Sequence, residues 1–169
     1  MTLQEKIKAN TVGLLNSLNG LTDVQANVKP EASVWSVLEC LEHIFLVDVG
    51  ISKALLVETT ENNTNDKSEL IGYDKLNHIL VNKRKEFKVP APDFVSPTGR
   101  FNTIEQGKQS INIVIDKMLL HLNQNDISTE THTIKHPRLG EMTKLDWIYF
   151  LITHTNRHIE QIEELKKLL

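Results

Sequence analysis

Cysteine is almost absent from this 169-residue chain: Cys40 stands alone. No intrachain disulfide can form, and a reducing compartment is the simpler setting. No apolar run approaches the roughly 20 residues that a membrane-spanning helix requires. The opening MTLQEKIKANTVGLLNSLNG is amphipathic, with no continuous apolar core after its charges, so it does not read as a signal peptide. An excess of one charge is lacking too. Lys and Arg number 19 against 22 Asp and Glu, a net of -3, and no basic stripe offers itself to nucleic acid. These absences lead to the expectation of a cytoplasmic, soluble protein with neither nucleic-acid nor membrane partners.

What is present is ordinary for a globular chain, 40% hydrophobic and 24% charged. The length suits a single domain over residues 1–169 with a sizeable core. Apolar residues recur at helical spacing from Leu3 to Leu18, through Leu3, Ile7, Leu14/Leu15 and Leu18. A second helix is expected to open at Ser36, where Ser36-Val37-Leu38-Glu39 has the form of a capping box and Trp35 and Cys40 stand at the positions of a hydrophobic staple. Its apolar residues continue to about Val57. Thr103-Ile104-Glu105-Gln106 is another capping box, followed by Ile104, Ile111, Val114/Ile115, Met118 and Leu122 along one side. The last helix runs from near Thr143 almost to the end.

Between these lie weaker signals. TTENNTNDKS (59–68) reads as a polar loop. Glu69 to Phe87 reads as helix with a thin apolar stripe, its KRKE (83–86) a solvated face. KVPAPDFVSPTG (88–99) holds three prolines in eight residues, which excludes helix interior and central strand. Residues 123–142 read as a loop containing His132, His136, Pro137 and Gly140, where only ETHTIKH (130–136) hints at strand alternation, over too short a run to carry weight. No internal repeat is visible. Four long amphipathic helices predict an all-α four-helix bundle, with the proline-bearing connection long enough for a crossover.

One stretch breaks the pattern. On a helical wheel of the last helix, Trp147, Ile148, Leu151, Ile162 and Leu165 share a side, and His154 and His158 fall among them beside Thr155. Asp146, Tyr149, Thr153, Asn156, Arg157, Glu160 and Glu164 fall opposite. A buried imidazole has two ring nitrogens to satisfy, and two such rings one turn apart multiply the demand. A divalent metal answers it, because neutral imidazole is a ligand for zinc, nickel, copper and iron. Positions i and i+4 lie about 6 Å apart along one face, within reach of one ion.

A third ligand would come from elsewhere, and His43 in WSVLECLEHIFL (35–46) is the best candidate. It shares a helix face with Cys40, Val47, Gly50 and Ala54. Three nitrogens with open positions characterise catalytic rather than structural metal sites. The competing reading is a set of hydrogen-bonded core histidines, the commoner use of a lone His43. His78 and His121 sit in polar surroundings and read as surface residues, while His132 and His136 read as exposed loop residues or the rim of a pocket. Thr155 follows His154 where a zinc protease helix requires glutamate, which excludes that class.

With WSVLECLEHI (35–44), the proline-rich connection and HPRLGEMTKLDWIYFLITHTNRHIEQI (136–162), the chain resembles the DinB/YfiT-like superfamily of metal-binding four-helix bundles. The resemblance covers most of the chain. It implies that His43, His154 and His158 hold a divalent metal at one end of the bundle, matching the three residues already selected. It also implies a choice of chemistry, since some members are thiol S-transferases, others are classed as metal-dependent hydrolases, and many have no assigned reaction.

Three functions follow as expectations. The first is a metal-dependent transferase joining a low-molecular-weight thiol to an electrophile, with the metal binding the thiol as nucleophilic thiolate. The second is a hydrolase with a metal-bound water, which needs a general base nearby. The third is a non-catalytic, metal-stabilised bundle that binds a ligand or partner. Cys40 is expected to pack rather than react. Glu39 and Gln161 are candidates to support the ligands, although the capping box already accounts for Glu39. Asp48, on the far side of its helix from His43, is expected to pair with a cation. Zinc, nickel, iron and manganese all suit three histidines. The partner is a small-molecule substrate, and apolar outer faces allow a homodimer.

Overall fold

The computed structural model describes residues 1–56, 70–86 and 90–169. Reciprocal side-chain caps start five of its helices. Helix α1 (Leu3–Ser17) begins with Thr2 and Glu5, α2 (Asp23–Asn27) with Thr22 and Gln25, and α3 (Val37–Leu55) with Ser36 and Glu39. After the short α4 (Tyr73–Asn77) come α5 (Ile104–Gln124), capped by Thr103 and Gln106, and α6 (Lys144–Lys166), capped by Thr143 and Asp146. Each cap satisfies amides that the first helical turn leaves free. The five-residue α2 is too short to show a period in sequence.

The four long helices, α1, α3, α5 and α6, form a four-helix bundle. Their directions follow from which residues meet. Asn10 reaches the Ile152 carbonyl and Asn156, and Gly13 faces Ile159, so α1 and α6 run parallel. Gln4 at the start of α1 donates to the Leu122 carbonyl near the end of α5, which makes that pair antiparallel. The N-terminal halves of α3 and α5 meet where Leu41 packs on Gly107. A Cβ on Gly107 would lie 3.1 Å from Leu41 Cδ1, so glycine permits this close approach. The order is therefore up-down-down-up, with the segment between α3 and α5 crossing from one end of the bundle to the other.

Ile7, Leu14, Leu41, Ile44, Ile51, Ile111, Met118, Ile148 and Ile162 are almost fully buried and form the centre of one apolar core. Burial of each such side chain contributes about 1.5–3 kcal/mol. Among the described residues no helix is long and apolar enough to cross a membrane.

Several expectations need correction. The helix expected over 69–87 is α4 followed by one π-helical turn at His78–Asn82, with Leu76 as its buried residue in α4. KRKE is solvated at Lys85 and Glu86, but Arg84 departs from that reading: its side chain is 12% exposed and pairs with Glu160 and Glu164 of α6. The loop at 59–68, together with Val57, Glu69 and Phe87, lies outside the described residues. The 123–142 region contains a hairpin: β1 (Thr133–His136) pairs antiparallel with β2 (Gly140–Thr143), with Ile134 opposite Met142. Gly140 turns the chain at φ 81, where side-chain-bearing residues are strained.

The wheel of α6 also erred on Asp146 and Thr153, which are 1% and 0% exposed. Both are short polar side chains with local partners. Thr153 donates to the Tyr149 and Phe150 carbonyls, and Asp146 caps α6 while accepting from the Gly72 amide. The 72–84 segment packs on that side of the helix, through Gly72 to Asp146, the Leu80 carbonyl to Arg157, and Arg84 to the two glutamates. Asp48 is 1% exposed, its Oδ1 has no hydrogen-bond partner, and no ion pair reaches it among the described residues. Among the described residues the expected cation is not there.

Candidate metal centre

His43 sits two turns into α3, and His154 and His158 occupy successive turns of α6. Their exposures are 6, 7 and 4%. His43 Nε2 is 3.1 Å from His154 Nε2, which is 3.2 Å from His158 Nε2. One ring nitrogen from each of the three lies within 4.8 Å of the others, so the set could hold a metal ion. Two imidazole nitrogens on one tetrahedral ion, each about 2.0–2.1 Å from it, stand about 3.3 Å apart. The observed spacing fits.

The outward nitrogens decide where the protons are. His43 Nδ1 lies 2.8 Å from the Val95 carbonyl, which can only accept, so Nδ1 carries the hydrogen and Nε2 is a bare lone pair. His158 Nδ1 lies 3.0 Å from Gln161 Oε1 and donates in the same way. Two lone pairs are thus aimed at one point by hydrogen bonds on the far side of each ring, the arrangement that orients metal-binding histidines. His154 differs: its Nδ1 is buried without a partner. Its tautomer is set by nothing behind the ring, and its Nε2 is the shared neighbour of the other two.

Burial holds His43 below the usual imidazole range, with the Arg157 charge adding to it and the Val95 bond opposing. His154 and His158 are held well below that range, again first by burial and then by the neighbouring imidazoles and Arg157. All three favour the neutral form, which is the ligand form.

Aromatic rings wall the cluster. Trp35 lies 4.9 Å from His43 between ring centres, and Phe150 stacks on His154 at 5.2 Å. His136 packs on Phe150 and Trp147, and its Nδ1 accepts from the Arg138 and Leu139 amides, which puts its hydrogen on Nε2. It is a half-buried rim residue, and burial lowers it to about 4. His132 is half-buried, His78 exposed, and His121 half-buried rather than on the surface.

Such a cluster, on the second and fourth long helices of a bundle with a proline-rich crossover, matches a known family model. The model of the DinB superfamily covers residues 7–162. The chain belongs to the DinB superfamily. It is similar to the protein YuaE of Bacillus subtilis (strain 168), with 28% identity over 158 residues and 90% of each chain covered. The crystal structure of TT2238, a four-helix bundle protein, matches with a TM-score of 0.61 at 15% identity over 96% of each chain, a likeness of fold.

Around the DinB-type cluster, Gln161 touches a histidine and Glu39 does not enter. Glu39 is occupied by the Ser36 amide and by Lys29 Nζ at 3.0 Å. Cys40 is buried, and desolvation, with a smaller contribution from Glu39, pushes its thiol up to about 12. It is one of the residues of the apolar core. Two participants escaped the sequence reading. One is the Val95 carbonyl, a backbone group with no sequence signal. The other is Glu42, 1% exposed, whose carboxylate accepts from Thr98, Gly99 and Arg100. Its partners lie more than 50 residues away, beyond any local pattern.

Proposed function

We propose that this DinB-superfamily chain is a divalent-metal-dependent transferase that joins a low-molecular-weight thiol to an electrophile, with His43, His154 and His158 as the metal ligands. The observation that carries the reading is the all-imidazole cluster, with two Nε2 lone pairs bare and converging. A cation held there would supply the positive charge that keeps a thiol in its nucleophilic thiolate form.

The chain's own residues supply the rest. His43 and His158 are held in the accepting tautomer by Val95 and Gln161. Trp35 packs against His43 and Phe150 stacks on His154. The reaction forms one S–C bond, expels the electrophile's leaving group with its electron pair, and passes the thiol proton to solvent. The thiol must come from the substrate, because Cys40 is buried and protonated.

Hydrolysis is the second reading, and the carboxylates weigh against it. It needs a general base, yet Glu39 and Glu42 of α3 are already engaged by hydrogen bonds, and among the described residues no carboxylate belongs to the cluster. The test is elemental analysis of protein purified without chelator, followed by parallel assays. Metal in the wild type, metal lost in His154→Ala, and turnover of a thiol with an electrophile would support the transferase. Turnover of an ester and amide panel instead would establish the hydrolase. Metal with neither activity would favour a ligand-binding bundle, and no metal would defeat all three.

A further inference from the structure

The crossover segment returns to the bundle beside His43 and is held there by two adjacent residues of α3. His43 Nδ1 donates to the Val95 carbonyl at 2.8 Å. Glu42 takes the rest of the segment. Its Oε1 accepts from the Thr98 amide at 2.8 Å and the Thr98 hydroxyl at 3.0 Å, and its Oε2 accepts from the Gly99 amide at 2.9 Å and the Arg100 amide at 2.8 Å. Three consecutive backbone amides converge on one buried carboxylate. Gly99 makes the turn at φ 86. Val95 is buried at the end of a single 3-10 turn, Asp93–Val95, three residues before the first amide that Glu42 binds.

We propose that Glu42 is a positioning residue for the histidine cluster, holding the Val95 carbonyl where it keeps the His43 proton on Nδ1 and leaves Nε2 bare. Without that acceptor the His43 proton is free to move to Nε2, the atom that faces the other two rings. The carboxylate charge is what the position requires. A glutamine has one accepting oxygen, and its amide hydrogens would face one of the two pairs of donors. Burial alone would raise the Glu42 carboxyl, but the Thr98, Arg100 and Gly99 donors overcome it and hold the group below the usual carboxylate range.

The effect on metal affinity rests on the metal reading above; the effect on the tautomer does not. The experiment uses the full chain and two readouts. Long-range 1H–15N spectra of metal-free protein report which nitrogen of His43 is protonated, and Co2+ titration reports affinity. The wild type should show a protonated Nδ1 and bare Nε2. Glu42→Gln should shift His43 toward a mixture and weaken Co2+ about 10–100-fold, the usual effect of losing an outer partner. Thr98→Val, which removes only the hydroxyl bond, should move both readouts the same way by less, and it decides the question if Glu42→Gln does not fold.

Ile111→Val should lower stability and move neither readout. If Glu42→Gln and Thr98→Val lower the urea midpoint while His43 stays as in the wild type, Glu42 is structural and the proposal is overturned. A wild-type His43 protonated on Nε2 overturns it too. A wild type that binds no Co2+ defeats the metal reading, and the tautomer comparison still decides Glu42.

Discussion

Asp48→Asn should stabilise this protein, by an amount that grows with pH. Asp48 lies in the middle of α3 at 1% exposure, with Oδ1 unpaired and no cation beside it among the described residues. Burial therefore holds its carboxyl well above the usual range. The folded state keeps a proton that the unfolded chain releases near an ordinary carboxylate pKa of about 3.9. The contribution of Asp48 to stability is then fully present below that value and is lost as pH rises toward the folded pKa. The loss is about 1.4 kcal/mol for each pH unit in that window.

Asparagine has nearly the same shape, leaves similar polar atoms unpaired and never ionises. The two proteins should match in stability near pH 4 and diverge above it. With a urea m-value of about 2 kcal/mol/M, the midpoints should separate by about 0.7 M per pH unit. The separation stops growing above the folded pKa, so the same series locates that pKa. Titrations common to both proteins cancel in the difference. A gap between the two midpoints that is the same at pH 4 and pH 8 would refute the reasoning, because it would mean that Asp48 ionises as freely in the core as in water.

Other outcomes can be checked with the same protein. A divalent ion at 100 times its Kd should raise wild-type stability by about 2.7 kcal/mol in urea melts, and His158→Ala should abolish the gain. An equal gain in that variant would place the ion elsewhere. Native Cys40 should resist iodoacetamide at pH 8 and react fully in urea, since its thiol is pushed up to about 12 and buried. Rapid native alkylation, read by mass spectrometry, would show that α3 opens. Gly107→Ala should change stability little, its helix gain of about 1 kcal/mol offset by crowding at Leu41. Gly107→Val should lose about 1–3 kcal/mol by overpacking, and equal midpoints for the two variants would mean that α3 and α5 are less close than described.

Much of this was legible locally. Capping boxes at Ser36 and Thr103 marked helix starts to the residue, because the cap is a contact three positions long. The i, i+4 spacing of His154 and His158 put both rings on one face whatever they met there. The wheel misplaced Asp146 and Thr153 because it ranks residues by polarity. A short polar side chain bonded to its own backbone is buried at little cost, as Thr153 is, and the 72–84 segment, thin in apolar residues, reaches Asp146 through the Gly72 amide.

By itself, then, the sequence determined the four amphipathic helices, their starts, and the pairing of two histidines on one of them. Those features rest on contacts within a few residues. The tertiary structure alone decided that α3 brings His43 within 3.1 Å of His154, that a crossover carbonyl sets its proton, and that Glu42 grips that crossover. It also decided that Asp48 is buried in the middle of α3 with no cation beside it among the described residues. Those depend on contacts across 50 to more than 100 residues, where helix period and propensity carry no information.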